Sequence, residues 1–173
     1  PLTETLAARL AFNHATRDSF YTITGPYRGR PGDIDSNSVR ASLLWQPNDA
    51  LRVLWKTDYN NIDLGGYPAD PALATNDPFT ITSNGPNEAH DKFVRSSLNV
   101  SYVFDNGMTL KSITGYQDGV SRFATDLDGT SAGNNTFYDQ LDEQVWSQEF
   151  NLISPDQQRL KWLLGLYYQY DMA

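Results

Sequence analysis

Val39-Arg40-Ala41-Ser42-Leu43-Leu44-Trp45-Gln46-Pro47-Asn48-Asp49-Ala50-Leu51-Arg52-Val53-Leu54-Trp55-Lys56 holds two alternating runs around a polar turn. Val39, Ala41, Leu43 and Trp45 fall on one side of an extended chain, against Arg40, Ser42 and Gln46. Leu51, Val53, Trp55 and Tyr59 repeat the pattern against Arg52, Lys56, Asp58 and Asn60. A period of two marks half-buried strands. Pro47-Asn48-Asp49-Ala50 is a turn, because Pro, Asn and Asp favour bends. The pair therefore predicts an antiparallel hairpin with strands at about Ser36–Gln46 and Leu51–Asp63.

The same alternation extends outward. It predicts further strands at about Thr5–Tyr21, Lys92–Phe104, Met108–Arg122, Gln144–Ile153 and Leu160–Asp171. Met108–Arg122 is rich in β-formers, but its two faces are less clean. Residues 4–12 also suit a helix by composition; the alternation of Leu6, Ala8, Leu10 and Phe12, with Phe20-Tyr21-Thr22-Ile23 following, favours a strand. Asp105-Asn106-Gly107 predicts a tight hairpin of type I′, which needs positive φ at both central residues. Ser154–Arg159 is the third short turn.

Long connections at roughly 22–35, 64–91 and 123–143 alternate with these turns and hold most of the Gly, Pro, Asn and Asp. In an antiparallel meander, successive connections lie at opposite ends of the sheet. Every short turn thus falls at one end and every long connection at the other, as in outer-membrane barrels. Strands of about 10–13 residues, rising ~3.3 Å each and tilted, are long enough to cross a hydrocarbon core. Trp45, Phe104 and Trp162 sit near the short turns, and Tyr59, Tyr168 and Tyr170 near the opposite strand ends. Leu43, Val100, Leu164 and Leu166 lie between, which matches two aromatic girdles around an aliphatic belt. The alternative is a soluble extracellular β-sandwich, such as a carbohydrate-binding protein, with these side chains as its core.

Composition narrows the function. The 173 residues carry a net charge of −8, which argues against nucleic acid as a partner. Cysteine is absent, so disulfide scaffolds and thiolate chemistry are excluded. The mean hydropathy of −0.53 does not exclude a membrane barrel, whose alternating strands average as hydrophilic.

The chain resembles the barrel region of TonB-dependent outer-membrane receptors of Gram-negative bacteria over nearly its whole length. The resemblance rests on Val39-Arg40-Ala41-Ser42-Leu43-Leu44-Trp45-Gln46-Pro47 and Leu51-Arg52-Val53-Leu54. It continues through Thr109-Leu110-Lys111-Ser112-Ile113-Thr114-Gly115-Tyr116 and Asp126-Leu127-Asp128-Gly129. It ends with Ser147-Gln148-Glu149-Phe150-Asn151-Leu152-Ile153-Ser154-Pro155 and Trp162-Leu163-Leu164-Gly165-Leu166-Tyr167-Tyr168. It implies an all-β, antiparallel up-and-down meander of about seven strands, forming part of a large transmembrane β-barrel of 22 strands. Residues 1–173 would be a contiguous portion of that barrel, without the signal peptide, the TonB box or the plug domain. Seven strands are too few to close even an eight-stranded barrel.

The resemblance also implies uptake of iron–siderophore complexes or a similar bulky nutrient, by binding and gating without covalent chemistry. The implied partners are outer-membrane lipid, the plug domain of the full-length chain, the TonB complex and a ferric siderophore. Arg9, Arg40, Arg52, Lys56, Asp58, Arg95, Glu149 and Lys161 would line the lumen, either meeting plug and ligand or forming a hydrated, charge-paired wall. Tyr67, Phe79, Phe137 and Tyr138 are the candidates for substrate contact in the outer loops.

No catalytic, cofactor or metal site is expected. His14 and His90 are the only histidines and lie in different segments. Asp126-Leu127-Asp128-Gly129 starts like a calcium loop but lacks its later ligands, so a polar turn is the better reading. Asp142 and Glu143 are adjacent in a strand and face opposite sides, unlike the paired carboxylates of a glycosidase.

Overall fold

The computed structural model describes residues 1–71, 77–133 and 135–173. Among the described residues nine strands form in chain order: β1 (Leu6–Arg17), β2 (Thr22–Ile23), β3 (Ile34–Trp45), β4 (Leu51–Leu64), β5 (Thr80–Ile81), β6 (Glu88–Val103), β7 (Thr109–Asp126), β8 (Thr136–Ile153) and β9 (Leu163–Met172). Seven make one antiparallel sheet in the order β1-β3-β4-β6-β7-β8-β9, a meander without crossover. No helix occurs among the described residues. The short turns 46–50, 104–108 and 154–162 lie at one end and the three long connections at the other.

Directly opposed residues in an antiparallel pair share a face. One register row runs Leu6–Trp45–Val53–Val100–Ser112–Phe150–Leu166, and the next row but one runs Ala8–Leu43–Trp55–Leu98–Thr114–Gln148–Tyr168. Leu10, Ala41, Tyr116, Trp146 and Tyr170 follow on the same side, then Phe12, Val39, Tyr59, Val94 and Met172. Their large apolar side chains are exposed: Leu10 keeps 75% of its surface, Leu98 39% and Leu166 69%. The buried hydrophobic residues are only Ile81 and Ala124 among the described residues, so neither face of the sheet carries a conventional core.

Polar side chains on this apolar face are paired with one another or with the backbone. Thr114 Oγ1 donates to Gln148 Oε1 at 2.7 Å, and Gln148 Nε2 to Ser112 Oγ at 3.0 Å. Trp55 Nε1 donates to Ser96 Oγ at 3.0 Å, and Thr57 Oγ1 to the Arg95 carbonyl at 3.0 Å. These groups thus find their partners within the sheet itself. Ser112 and Thr114 are also why the faces of this segment are mixed in sequence.

The opposite face is charged. Register gathers Arg9, Arg40, Arg52, Lys56, Asp58, Arg95 and Glu149 there, as expected. Arg40 meets Asp58 at 3.2 Å, Arg95 Nε donates to Gln117 Oε1 at 2.8 Å, and Gln117 Nε2 to Glu143 Oε2 at 2.8 Å. The first pair joins β3 to β4, and the Arg95–Gln117–Glu143 relay joins β6, β7 and β8. Lys161 departs from expectation: it lies in the turn before β9, 3.7 Å from Asp156.

The last pair at the first short turn, Trp45–Val53, lies three rows short of the last pairs at the other two, Val103–Thr109 and Ile153–Leu163, which share a single row. These seven strands do not close; β1 and β9 each keep one unpaired edge.

Several boundaries differ from expectation. β1 stops at Arg17, and Phe20 and Tyr21 enter the connection, where they pack on each other and on Phe79. Thr22–Ile23 instead pairs in parallel with Thr80–Ile81. β7 and β8 run to 18 residues each, because residues 123–126 pair with 136–139 beyond the apolar belt. Both faces there meet polar surroundings, so the alternation fades although the ladder continues. At Asp105-Asn106-Gly107 only Gly107 has positive φ, at 79°. The Gly107 N–H donates to the Phe104 carbonyl at 2.8 Å. The turn is therefore the wider form that ends in a left-handed glycine, not the type I′ turn.

Candidate functional site

The long connections fold together into a crown above one end of the sheet. Its centre holds the fully buried side chains Ile81, Asn87, Asp126, Pro31 and Ser83. Asp126, the last residue of β7, lies well beyond Tyr116, the last belt residue of that strand. Its Oδ2 accepts from Ser83 Oγ at 2.8 Å and the Asn84 N–H at 3.1 Å. Its Oδ1 accepts from the N–H groups of Asp128 at 3.2 Å and Gly129 at 3.4 Å. Asn87 Oδ1 accepts from the Asp126 N–H and Thr125 Oγ1, both at 3.2 Å. The motif that starts like a calcium loop is thus a carboxylate closed by four donors. No cluster of three or more metal-binding side chains occurs among the described residues.

Burial acts to raise the Asp126 carboxyl, but the Ser83 hydroxyl and the three N–H groups outweigh it and hold its pKa below the ordinary value. A lowered folded pKa contributes stability that is present above the unfolded value of about 3.9 and is lost as pH falls through the folded one. Amide protection across 81–88, corrected for intrinsic exchange, is therefore expected to be constant from about pH 7 to 5 and to weaken below about pH 4. Protection that stays flat to pH 2 would contradict this role.

Gly66 shows how tightly the crown is joined. Its φ is +65°, and a Cβ there would stand 2.7 Å from the Glu88 nitrogen. Only glycine combines that conformation with that approach.

The four aromatic candidates are dispersed. Tyr67 is 76% exposed in the crown, and its carbonyl accepts from Thr125 Oγ1 at 3.0 Å. Phe79 stands edge-on to Phe20, with centroids 5.9 Å apart. Phe137 and Tyr138 are strand residues of β8 rather than loop residues, so they point to opposite faces. Phe137 lies near Phe123 on the charged face, with centroids 6.5 Å apart. Tyr138 lies on the apolar-belt side.

On that side, above the belt, the loop Tyr27–Asp33 and the ends of β3, β4, β6, β7 and β8 line an open cavity of about 950 Å³. Tyr138 lines it with Tyr27, Glu88, His90, Asp63 and Arg122. His90 Nδ1 is bonded to Asp63 Oδ1. Burial raises the Tyr27 phenol, and the Glu88 carboxylate adds to that shift. Sequence reading missed Arg122, Glu88 and Tyr27. Only the register brings Asp35, Asp63, His90, Arg122 and Gln140 into one row.

Fold and site together define an all-β chain: a single-layer antiparallel meander, apolar on one side, charged on the other and capped by a folded crown. No family model, curated protein or solved structure matches the chain.

Proposed function

We propose that this chain is a stretch of the wall of a large outer-membrane β-barrel of the TonB-dependent transporter kind. The observation that carries the reading is the register. It puts exposed Leu, Val, Phe, Tyr and Trp on one face and charged side chains, with the Arg40–Asp58 ion pair and the Arg95–Gln117–Glu143 relay, on the other, and leaves both uncovered. Bilayer lipid would cover the first face and a hydrated lumen the second. Short turns at one end and a folded crown at the other support the same reading. The apolar face is far more extensive than the patches that soluble monomers expose.

In this reading the crown forms the outer mouth. The full-length receptor takes up iron–siderophore complexes or a similar bulky nutrient, energised through the TonB complex and gated by its plug. The chemistry is binding and gating.

The full-length protein is expected to stay in the outer-membrane fraction after carbonate washing and to need detergent for solubility. It is also expected to restore ferric-siderophore uptake, in a TonB-dependent manner, to a Gram-negative strain lacking its own receptors. A monodisperse monomer in detergent-free buffer would sink the membrane reading. Membrane insertion without uptake of any bulky nutrient would sink the transport reading alone.

A further inference from the structure

We propose that the half of the charged face nearer the short turns is a dock for an acidic surface of the plug domain. The inference rests on the reading above, which places that domain in the lumen this face lines.

Four cations carry it. Arg9 on β1, Arg52 and Lys56 on β4 and Lys111 on β7 share this face and are exposed. None of their side chains makes a hydrogen bond or ion pair among the described residues. Glu149 is the only carboxylate in their two rows and the row between, among the described residues, and it already accepts from Asn151 Nδ2. At mid-height the cations are matched: Arg40 meets Asp58 at 3.2 Å, and Arg95 is held by Gln117 and the Phe93 ring. Nearer the crown the face turns acidic, with Asp91, Glu143 and Asp139, while the Arg17 guanidinium is taken by the Gly32 carbonyl at 2.7 Å. The uncompensated positive charge is thus confined to the half near the turns.

Spacing selects the occupant. Arg9 and Lys56 lie in one register row with Ser42 between them, and Arg52 and Lys111 in another with Ser101 between them. Two strand spacings put the members of each pair about 10 Å apart. Four residues along β4 put the two rows about 13 Å apart. A phosphate or a lone carboxylate reaches one pair at most, whereas several carboxylates fixed on a folded surface reach both. Like charges on one wall repel, and in an enclosed lumen the counter-charge comes from what fills it. Complementary charges of this kind fix the register and orientation of the partner.

The test is carbodiimide coupling of the full-length protein in lauryldimethylamine oxide, read by peptide mass spectrometry. The reagent joins a lysine amine to a carboxylate as an amide and takes up the water lost, becoming a urea. Lys56 and Lys111 are expected to couple to Asp or Glu of the same chain outside residues 1–173. The yield is expected to fall about fivefold in about 1 M salt, which screens charges over ~3 Å. Lys161, 3.7 Å from Asp156, is the internal control. Conductance in planar bilayers gives a second readout. Arg9→Glu combined with Arg52→Glu is expected to raise it about tenfold by loosening the plug, and Arg9→Lys combined with Arg52→Lys to leave it unchanged. Lys56 and Lys111 left free while Lys161 couples, or coupled only within residues 1–173, would overturn the proposal. So would coupling to a second protein, or a charge-reversed variant that conducts like the parent. The detergent requirement is measured separately, so failure of this dock is distinguishable from failure of the membrane reading.

Discussion

Leu98→Arg is expected to destabilise the full-length protein in lipid bilayers by about 2–4 kcal/mol if lipid faces this side of the sheet as proposed, the cost of a cationic side chain at the middle of a lipid-facing barrel strand. Leu98 lies midway along the apolar face, between Trp55 on β4 and Thr114 on β7, and is 39% exposed. Nothing within the described sheet covers it. The neighbouring substitution Asn99→Arg is the control, because Asn99 points to the charged face, beside Leu54 and Ile113 in the register. It is expected to change stability by less than about 1 kcal/mol, as for a hydrated surface position. Guanidinium unfolding of both variants in phosphatidylcholine vesicles measures the difference. Equal tolerance of both changes would mean that lipid does not face Leu98. Equal damage from both would mean that the two faces are buried alike.

Asp126→Ala is expected to unfold the crown while leaving the wall intact. The substitution removes the acceptor of four donors, and a buried donor left without a partner costs about 1–3 kcal/mol. Water entering the opened loop recovers part of that, so a local loss of about 3 kcal/mol or more is expected. Hydrogen exchange resolves where the loss falls. Amides at 81–88 and 126–130 are expected to lose protection, while those at the centres of β3, β4 and β6 keep it. Asp126→Asn retains one acceptor oxygen and the side-chain volume, and should lose less. A variant whose crown exchanges like the parent would refute the central role of this carboxylate.

The two substitutions probe parts of the chain that were unequally legible. The hairpin around Pro47-Asn48-Asp49-Ala50 was readable because one face of β3 and β4 is apolar and the other hydrated, so the strand period is written in the residues. The end of β7 beyond Arg122 and the part of β8 before Gln144 were not readable. Phe123, Asp139 and Gln140 stand beyond the apolar belt, where the alternation fades and backbone pairing keeps the ladder in register. The seven charged side chains in the strands were assigned to one face correctly. The relay through Gln117 between Arg95 and Glu143 needed the register of three strands at once.

By itself, the sequence determined that the chain is all-β and that it runs as a meander with short turns at one end. It also determined that one face is greasy and the other charged. These follow from period-two patterning and turn chemistry, which act within a few residues of each other. Tertiary structure alone decided that Thr22–Ile23 pairs with Thr80–Ile81, that Asp126 is closed by Ser83 and Asn84, and that Phe137 and Tyr138 part to opposite faces. It also decided that Tyr138 joins Arg122 and Glu88 around one cavity. The physical reason is separation along the chain. Those contacts join residues tens of positions apart, through loops whose polar residues carry no periodic signal. Their partners are set only once the strand register brings the loop ends together.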